Sequence, residues 1–230
     1  MRLTAIIVAA GDSRRMGGAV NKALLPLAGR PVLSHVLDMW RDFAEETVVT
    51  ARAADQAALA ALIAPYGVAV RLTEGGKQRA HSVARALKTL DKDNLPELIA
   101  VHDAARPLTS PTDISLVIEA AEREGAAILA APLNDTIRFQ AEGKCGAPLP
   151  RQELLAAQTP QIFRADWLVS AYALATEPTL AAATDDASLV MSAGYPCSYV
   201  WAAYENIKLT RPEDLVLAEA IVKERLAMNG

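Results

Sequence analysis

The sequence predicts a single α/β domain in three layers, with a twisted, mainly parallel (mixed) sheet covered on both faces by helices. Three observations carry that expectation. An apolar run at the start, Leu3 with Ala5 to Ala10, reads as a buried parallel strand. Short apolar segments then alternate with stretches of helical spacing, the pattern of strand, helix, strand units. No break in composition divides the 230 residues, so one large core is expected.

In chain order, Pro31 opens a helix whose positions Val32, Leu33, Val36, Leu37 and Trp40 share a face. Residues 46–51 make a second strand, 53–64 an alanine-rich helix stopped by Pro65 and Gly67, and 68–72 a short strand. A helix through Val83, Ala86 and Leu87 leads to a strand at 97–101. Pro111-Thr112-Asp113 starts the next helix, Gly125 ends it, and a strand follows at 126–131. Residues 132–153 hold Pro132, Pro148, Pro150, Gly143 and Gly146 with no helical stripe, which predicts an extended arm leaving the sheet. Ordering such an arm costs entropy unless it packs on something, so a homodimer is expected. The segment 158–163 returns to the body, a helix runs through Trp167, Leu168, Ala171 and Leu174, and Thr184 reads as the cap of another. A strand at 195–201 and a closing helix from Thr210 complete the chain.

Charge and composition bound the function. A net charge of −4, with Lys and Arg never forming a basic stripe, argues against a nucleic-acid partner. Cys145 and Cys197 form no disulfide framework and no zinc spacing, which fits a reducing cytoplasm. No charged-then-apolar leader and no membrane-length apolar run is read, so the expectation is a soluble, unexported protein with no membrane partner.

Against that acidic background, local cationic loops point to a small anionic ligand. The first strand breaks at Gly11 into a loop with Arg14, Arg15, Gly17, Gly18 and Lys22, where open α/β sheets bind ligands. A polyphosphate suits it; solvated surface charge beside a turn is the plainer alternative. It is not the dinucleotide fingerprint, because Ser13 fills the second glycine position, and the chain holds no P-loop string, since Gln78 follows Gly76-Lys77. The stretch from Thr73 to Ser82 again sets glycines between a strand and a helix, either to hold a base or phosphate oxygen through helix-start amides and Ser82, or as a simple turn. Asp103, at a strand's carboxyl end, is placed to hold magnesium beside a triphosphate, or else to accept hydrogen bonds from Arg106. Thr184-Asp185-Asp186 is equally open between a capping and a ligand role.

Five separated stretches resemble a known family. Ile7 to Met16 with Lys22, Gly75 to Ser82, the H-D-A-A-R-P run of His102 to Pro107, Thr159 to Phe163, and Asn206 to Leu215 are similar to those of the 2-C-methyl-D-erythritol 4-phosphate cytidylyltransferases. The resemblance implies a Rossmann-like nucleotidyltransferase (GT-A-like) fold over residues 1–230, with the arm at about 132–153 a β-arm for dimerisation. It implies transfer of CMP from CTP to 2-C-methyl-D-erythritol 4-phosphate with release of pyrophosphate, with Mg2+ as the metal. It places Arg15 and Lys22 on the transition state, and Arg151 and Lys208 on the attacking phosphate, with Arg151 reaching a neighbouring subunit. CTP falls on Ala9, Ala10, Gly11, Gly76, Ser82, Asp103 and Ala104, and the sugar phosphate near Arg106, Thr136, Thr159 and Thr184, with Asp103 on the metal. The family often has glycine where Ser13 stands and an acid near Lys77 and His81. A cytidylyltransferase for another polyol phosphate such as ribitol 5-phosphate, or a non-catalytic nucleotide-binding regulator, are the competing readings.

Overall fold

The computed structural model describes residues 1–11 and 21–228. After β1 (Leu3–Val8) come the short strands β2 (Pro26–Leu27) and β3 (Arg30–Pro31), α1 (Val32–Trp40), β4 (Glu46–Ala51) and α2 (Gln56–Ile63). The middle of the chain is β5 (Val70–Glu74), α3 (Arg79–Leu87), β6 (Leu98–Asp103), α4 (Pro111–Glu124), β7 (Ala126–Ala131), β8 (Arg138–Ala141) and β9 (Lys144–Pro148). The last part is β10 (Ala156–Arg164), α5 (Ala165–Leu174), α6 (Glu177–Ala182), α7 (Asp186–Ser192), β11 (Ser198–Trp201) and α8 (Pro212–Met228).

Seven strands form one sheet in the order β11-β7-β10-β6-β1-β4-β5. β1 lies inside the sheet and pairs in parallel with β4 on one side and β6 on the other. Only β10 runs against its neighbours, which makes the sheet mixed. Strand periodicity splits the core between the two faces. Leu3, Ala5 and Ile7 pack with Leu33 and Trp40 of α1, Leu59 of α2 and Val117 of α4. Ile6 faces the other way, toward Val83 of α3, Leu168 of α5 and Val190 of α7. Each large side chain buried this way contributes about 1.5–3 kcal/mol. A smaller cluster seats α8 on the β2–β3 turn through Ala218, Leu27 and Leu209. Among the described residues no helix is long and apolar enough to cross a membrane.

Local chemistry explains the element ends. Ser110 caps α4 by accepting from the Asp113 amide at 3.0 Å, and Gly125 stops it with φ at 87°, a left-handed conformation that other residues rarely adopt. Some boundaries differ from the sequence reading. β5 lies two residues later than expected, because a 3-10 turn continues past Gly67 (φ 68°) and leaves Val68 in solvent. The cap of α7 is Asp185, accepting from the Ser188 amide at 3.1 Å, not Thr184, which stands exposed one residue earlier. α6 was not foreseen. The stretch expected as an arm contains β8 and β9, an antiparallel ribbon separate from the main sheet. Glu142 and Gly143 turn it with φ values of 50° and 75°, the signature of a primed hairpin turn.

Candidate active site

From β1 the chain passes through α1 to β4 on one side, whereas β6, reached later through α3, lies on the other. The carboxyl end of β1 is therefore the point where the strand order reverses, the place where open α/β sheets bind ligands. A cavity of about 580 Å³ opens there. The ends of four strands contribute to its walls: Ala9 to Gly11 after β1, Arg52 after β4, Gly76 to Arg79 with Ser82 after β5, and Asp103 to Ala105 from β6. Backbone bonds hold these ends in step, with the Ala9 amide donating to the Thr50 carbonyl (3.1 Å) and the Ala104 amide to that of Val8 (3.1 Å).

All seven residues expected at the nucleotide, Ala9, Ala10, Gly11, Gly76, Ser82, Asp103 and Ala104, line this one cavity. So do Lys22 and Lys208, which arrive from opposite ends of the chain. Lys22 Nζ donates to the Leu209 carbonyl at 3.1 Å, so the two lysine-bearing segments touch. Arg52, Lys77 and Arg79 add three more cations to the wall, against the carboxylate of Asp103 alone among the described residues. That imbalance, concave and partly shielded from water, suits a polyanion.

Asp103 is the electrostatic centre. Its Oδ1 accepts from Arg79 Nε at 2.9 Å and its Oδ2 from Lys208 Nζ at 2.6 Å. Burial alone works against ionisation, but the charges of Arg79 and Lys208 outweigh it and hold the carboxyl well below the usual carboxylate range. Arg106 is not its side-chain partner: that guanidinium is buried, and Nη1 donates to the Asn206 carbonyl at 2.6 Å. The neighbouring His102 is fully buried, and its Nε2–H donates to the Arg106 carbonyl at 3.0 Å, closing the turn that aims Asp103. Burial pushes the imidazole down to about 4, so it stays neutral.

The second glycine loop needs its glycines for close approach. A Cβ on Gly75 would lie 2.2 Å from the Ala10 Cβ, and one on Gly76 would lie 2.3 Å from that of His81. The loop thus presses against the first, and Ser82 braces it, accepting from the Gly76 amide (3.0 Å) and donating to the Gln78 carbonyl (3.2 Å).

The remaining expected residues are distributed more widely. Thr159 is buried and its Oγ1 accepts from the Asp103 amide at 3.0 Å, so it holds the carboxylate turn. Arg106 sits behind the wall, and Thr136, Arg151 and Thr184 are exposed and do not line the cavity of a single chain. Arg151 Nη1 reaches the Asn134 carbonyl at the base of the ribbon. Arg15, with Arg14, lies outside the described residues.

The IspD family model, 2-C-methyl-D-erythritol 4-phosphate cytidylyltransferase, matches residues 3–224. The chain belongs to that family. A 2-C-methyl-D-erythritol 4-phosphate cytidylyltransferase of Pelotomaculum thermopropionicum is 41% identical, with 97% of this chain aligned to 95% of the relative. The crystal structure of the enzyme of that name from Thermus thermophilus superposes with a TM-score of 0.80 at 36% identity, covering 97% of this chain and all of the other. That of Francisella tularensis gives a TM-score of 0.82 at 27% identity, covering 96% and 99%.

Within this cytidylyltransferase family frame, the departures noted at Lys77 and His81 have visible surroundings. Lys77 lines the cavity, and His81 Nε2 lies 3.0 Å from Glu177 Oε1, tying α3 to α6. Sequence reasoning missed Arg79, Arg52, Asn21 and Asp55. Asn21 donates to the Ala9 carbonyl (2.9 Å) and to Asp55 Oδ2 (2.8 Å), which also accepts from Arg52 Nε (2.6 Å), and this buried knot fixes where Lys22 begins. The partners lie 12 to 34 positions away along the chain, so only Asn21's helix-capping type was readable.

Proposed function

We infer that this chain transfers CMP from CTP to the phosphate of 2-C-methyl-D-erythritol 4-phosphate, giving 4-diphosphocytidyl-2-C-methyl-D-erythritol and pyrophosphate in non-mevalonate isoprenoid biosynthesis. The observation that carries the reading is the gathering of Lys22, Lys208, Arg52 and Arg79 with Gly11 and the second glycine loop around one cavity of about 580 Å³. An acceptor phosphate oxygen attacks the α-phosphorus in line with the departing pyrophosphate. Negative charge then grows on the oxygens of a five-coordinate phosphorus, and fixed cations beside it lower the barrier. Lys22, with Arg15, takes that role. Lys208 turns from Asp103 toward the acceptor phosphate and orients it. No protein nucleophile is needed.

Among the described residues no cluster of three or more His, Cys, Asp or Glu could hold a metal alone. One carboxylate beside substrate phosphates is nevertheless the donor set that Mg2+ uses. Asp103, with the CTP phosphates, would hold it once Lys208 releases Oδ2, and the ion would neutralise phosphate charge. Arg151 and Thr136, at the ribbon's base, do not line the cavity of their own chain; a homodimer in which the ribbon crosses to a second copy would deliver them to its site. Thr184 meets the sugar phosphate from the α7 side. Two free cysteines, Cys145 and Cys197, fit a reducing cytoplasm.

Pyrophosphate release, followed with each of the four nucleoside triphosphates and with methylerythritol phosphate or ribitol 5-phosphate as acceptor, tests the assignment. Release confined to CTP with methylerythritol phosphate is expected. Preference for ribitol 5-phosphate would overturn the acceptor, and CTP binding without release on either would leave a regulator.

A further inference from the structure

Arg79 opens α3 directly after the glycine loop, yet its ion pairs lead to two other parts of the chain. Nε donates to Asp103 Oδ1 at 2.9 Å, and Nη1 donates to Asp186 Oδ2 at 2.7 Å. Asp186 is fully buried at the start of α7; its other oxygen accepts the Tyr172 hydroxyl at 2.6 Å, and its amide donates to Gln161 Oε1 at 3.0 Å. Thr184 stands two residues before Asp186. One guanidinium therefore joins the nucleotide loop, the carboxylate of β6 and the segment that the functional reading assigns to the sugar phosphate.

A packing staple is the plain alternative, and two features argue for more. Arg79 lines the cavity itself, and its Nη2 is buried with no hydrogen-bond partner among the described residues, a donor that a pure staple would satisfy. The planar fork also fixes both carboxylates at once, so a shift of the loop on nucleotide binding reaches Asp186 as directly as Asp103.

We propose that Arg79 is a positioning residue that couples the nucleotide half of the site to the sugar-phosphate half, so that each substrate tightens the hold on the other. The proposal rests on the function inferred above. Ordering the loop with one ligand orders the α7 segment for the second, and linkage makes the effect reciprocal.

The test is calorimetric titration of the full chain with α,β-methylene-CTP, alone and with saturating methylerythritol phosphate, and in the reverse order. The unaltered enzyme is expected to show the same tightening, about fivefold or more, in both directions. Arg79→Lys keeps a positive charge but replaces the fork with one ammonium, so the factor between the two titrations should fall to near one, whatever the change in affinity for the nucleotide alone. Asp186→Asn keeps the shape, lies outside the cavity wall and should lose the coupling likewise; Tyr172→Phe, the mildest change, should reduce it. A folded variant of Arg79 or Asp186 that retains the full factor would overturn the proposal, as would a factor of one in the unaltered enzyme. Pyrophosphate release by the unaltered enzyme separates the two levels: without release the functional reading fails, whereas release without coupling sinks only the role of Arg79.

Discussion

Lys208 Nζ sits 2.6 Å from Asp103 Oδ2, bringing together a lysine after β11 and a carboxylate at the end of β6, 105 positions apart in the sequence. The pair has a consequence for catalysis, because a lysine neutralised at rest becomes available only when a stronger anion draws it away. Lys208→Ala is expected to raise KM for the sugar phosphate tenfold or more while CTP affinity changes little, since Arg52, Lys77 and Arg79 still line the cavity. Steady-state kinetics with each substrate varied in turn checks this.

Asp103→Asn removes the charge that both Arg79 and Lys208 answer. Arg79 keeps Asp186 and Lys208 is partly exposed, so the loss of stability is expected to be about 1–3 kcal/mol rather than the larger cost of a stranded buried charge. Turnover should fall by roughly a hundredfold or more, the scale of a lost transition-state group. Urea unfolding measures the first and pyrophosphate release the second.

Lys22→Ala is expected to lower turnover by roughly a hundredfold or more with far less effect on CTP binding, because its proposed partner is charge that appears only at the transition state. Near-normal turnover in that variant would remove Lys22 from the mechanism.

Arg151→Ala should weaken sugar-phosphate use. Mixing it with Lys22→Ala, under conditions that exchange subunits, should recover part of the activity if the ribbon of one chain completes the site of another. Mixed samples no more active than their components would rule out a shared site.

His102 makes stability depend on pH. Its imidazole titrates near 4 in the folded chain instead of near 6.5, chiefly through burial, with the hydrogen bond to the Arg106 carbonyl and the charge of Asp103 opposing it and the charges of Arg106 and Arg79 adding to it. Between those values the unfolded chain takes up a proton that the folded chain does not. Stability is therefore intact above about pH 6.5 and falls as the pH drops toward 4, by about 3 kcal/mol from this residue. Urea midpoints at pH 7 and 4.5, in the native protein and in His102→Gln, measure that share, which should be smaller in the variant.

Much of the scaffold was legible because the buried strands are short apolar runs and the helices are punctuated. Pro111 and Gly125 bracket α4, and residues 46–51 and 126–131 coincide with β4 and β7. The cavity wall was legible for a related reason, since glycines and cations after strand ends stand out against a hydrophobic background. β10 was harder to read as a strand. Its Gln158, Thr159, Pro160 and Gln161 break any apolar alternation, because they face partners: Gln161 Oε1 accepts from the amides of Asp186 and Ala187, both at 3.0 Å. Arg79 was invisible for another reason. What distinguishes it is two carboxylates 24 and 107 positions away, and nothing in its neighbourhood in the sequence marks either.

The reversed direction of β10 sets where a mechanical load would travel. It starts at the edge of the sheet where Asp103 ends β6, and the ribbon of β8 and β9 leaves from that same edge. Only the residues from Leu149 to Gln158 separate the ribbon from Thr159, whose hydroxyl receives the Asp103 amide. Anything that grips the ribbon therefore pulls, through about ten residues of chain, on the backbone that holds Asp103 at the cavity.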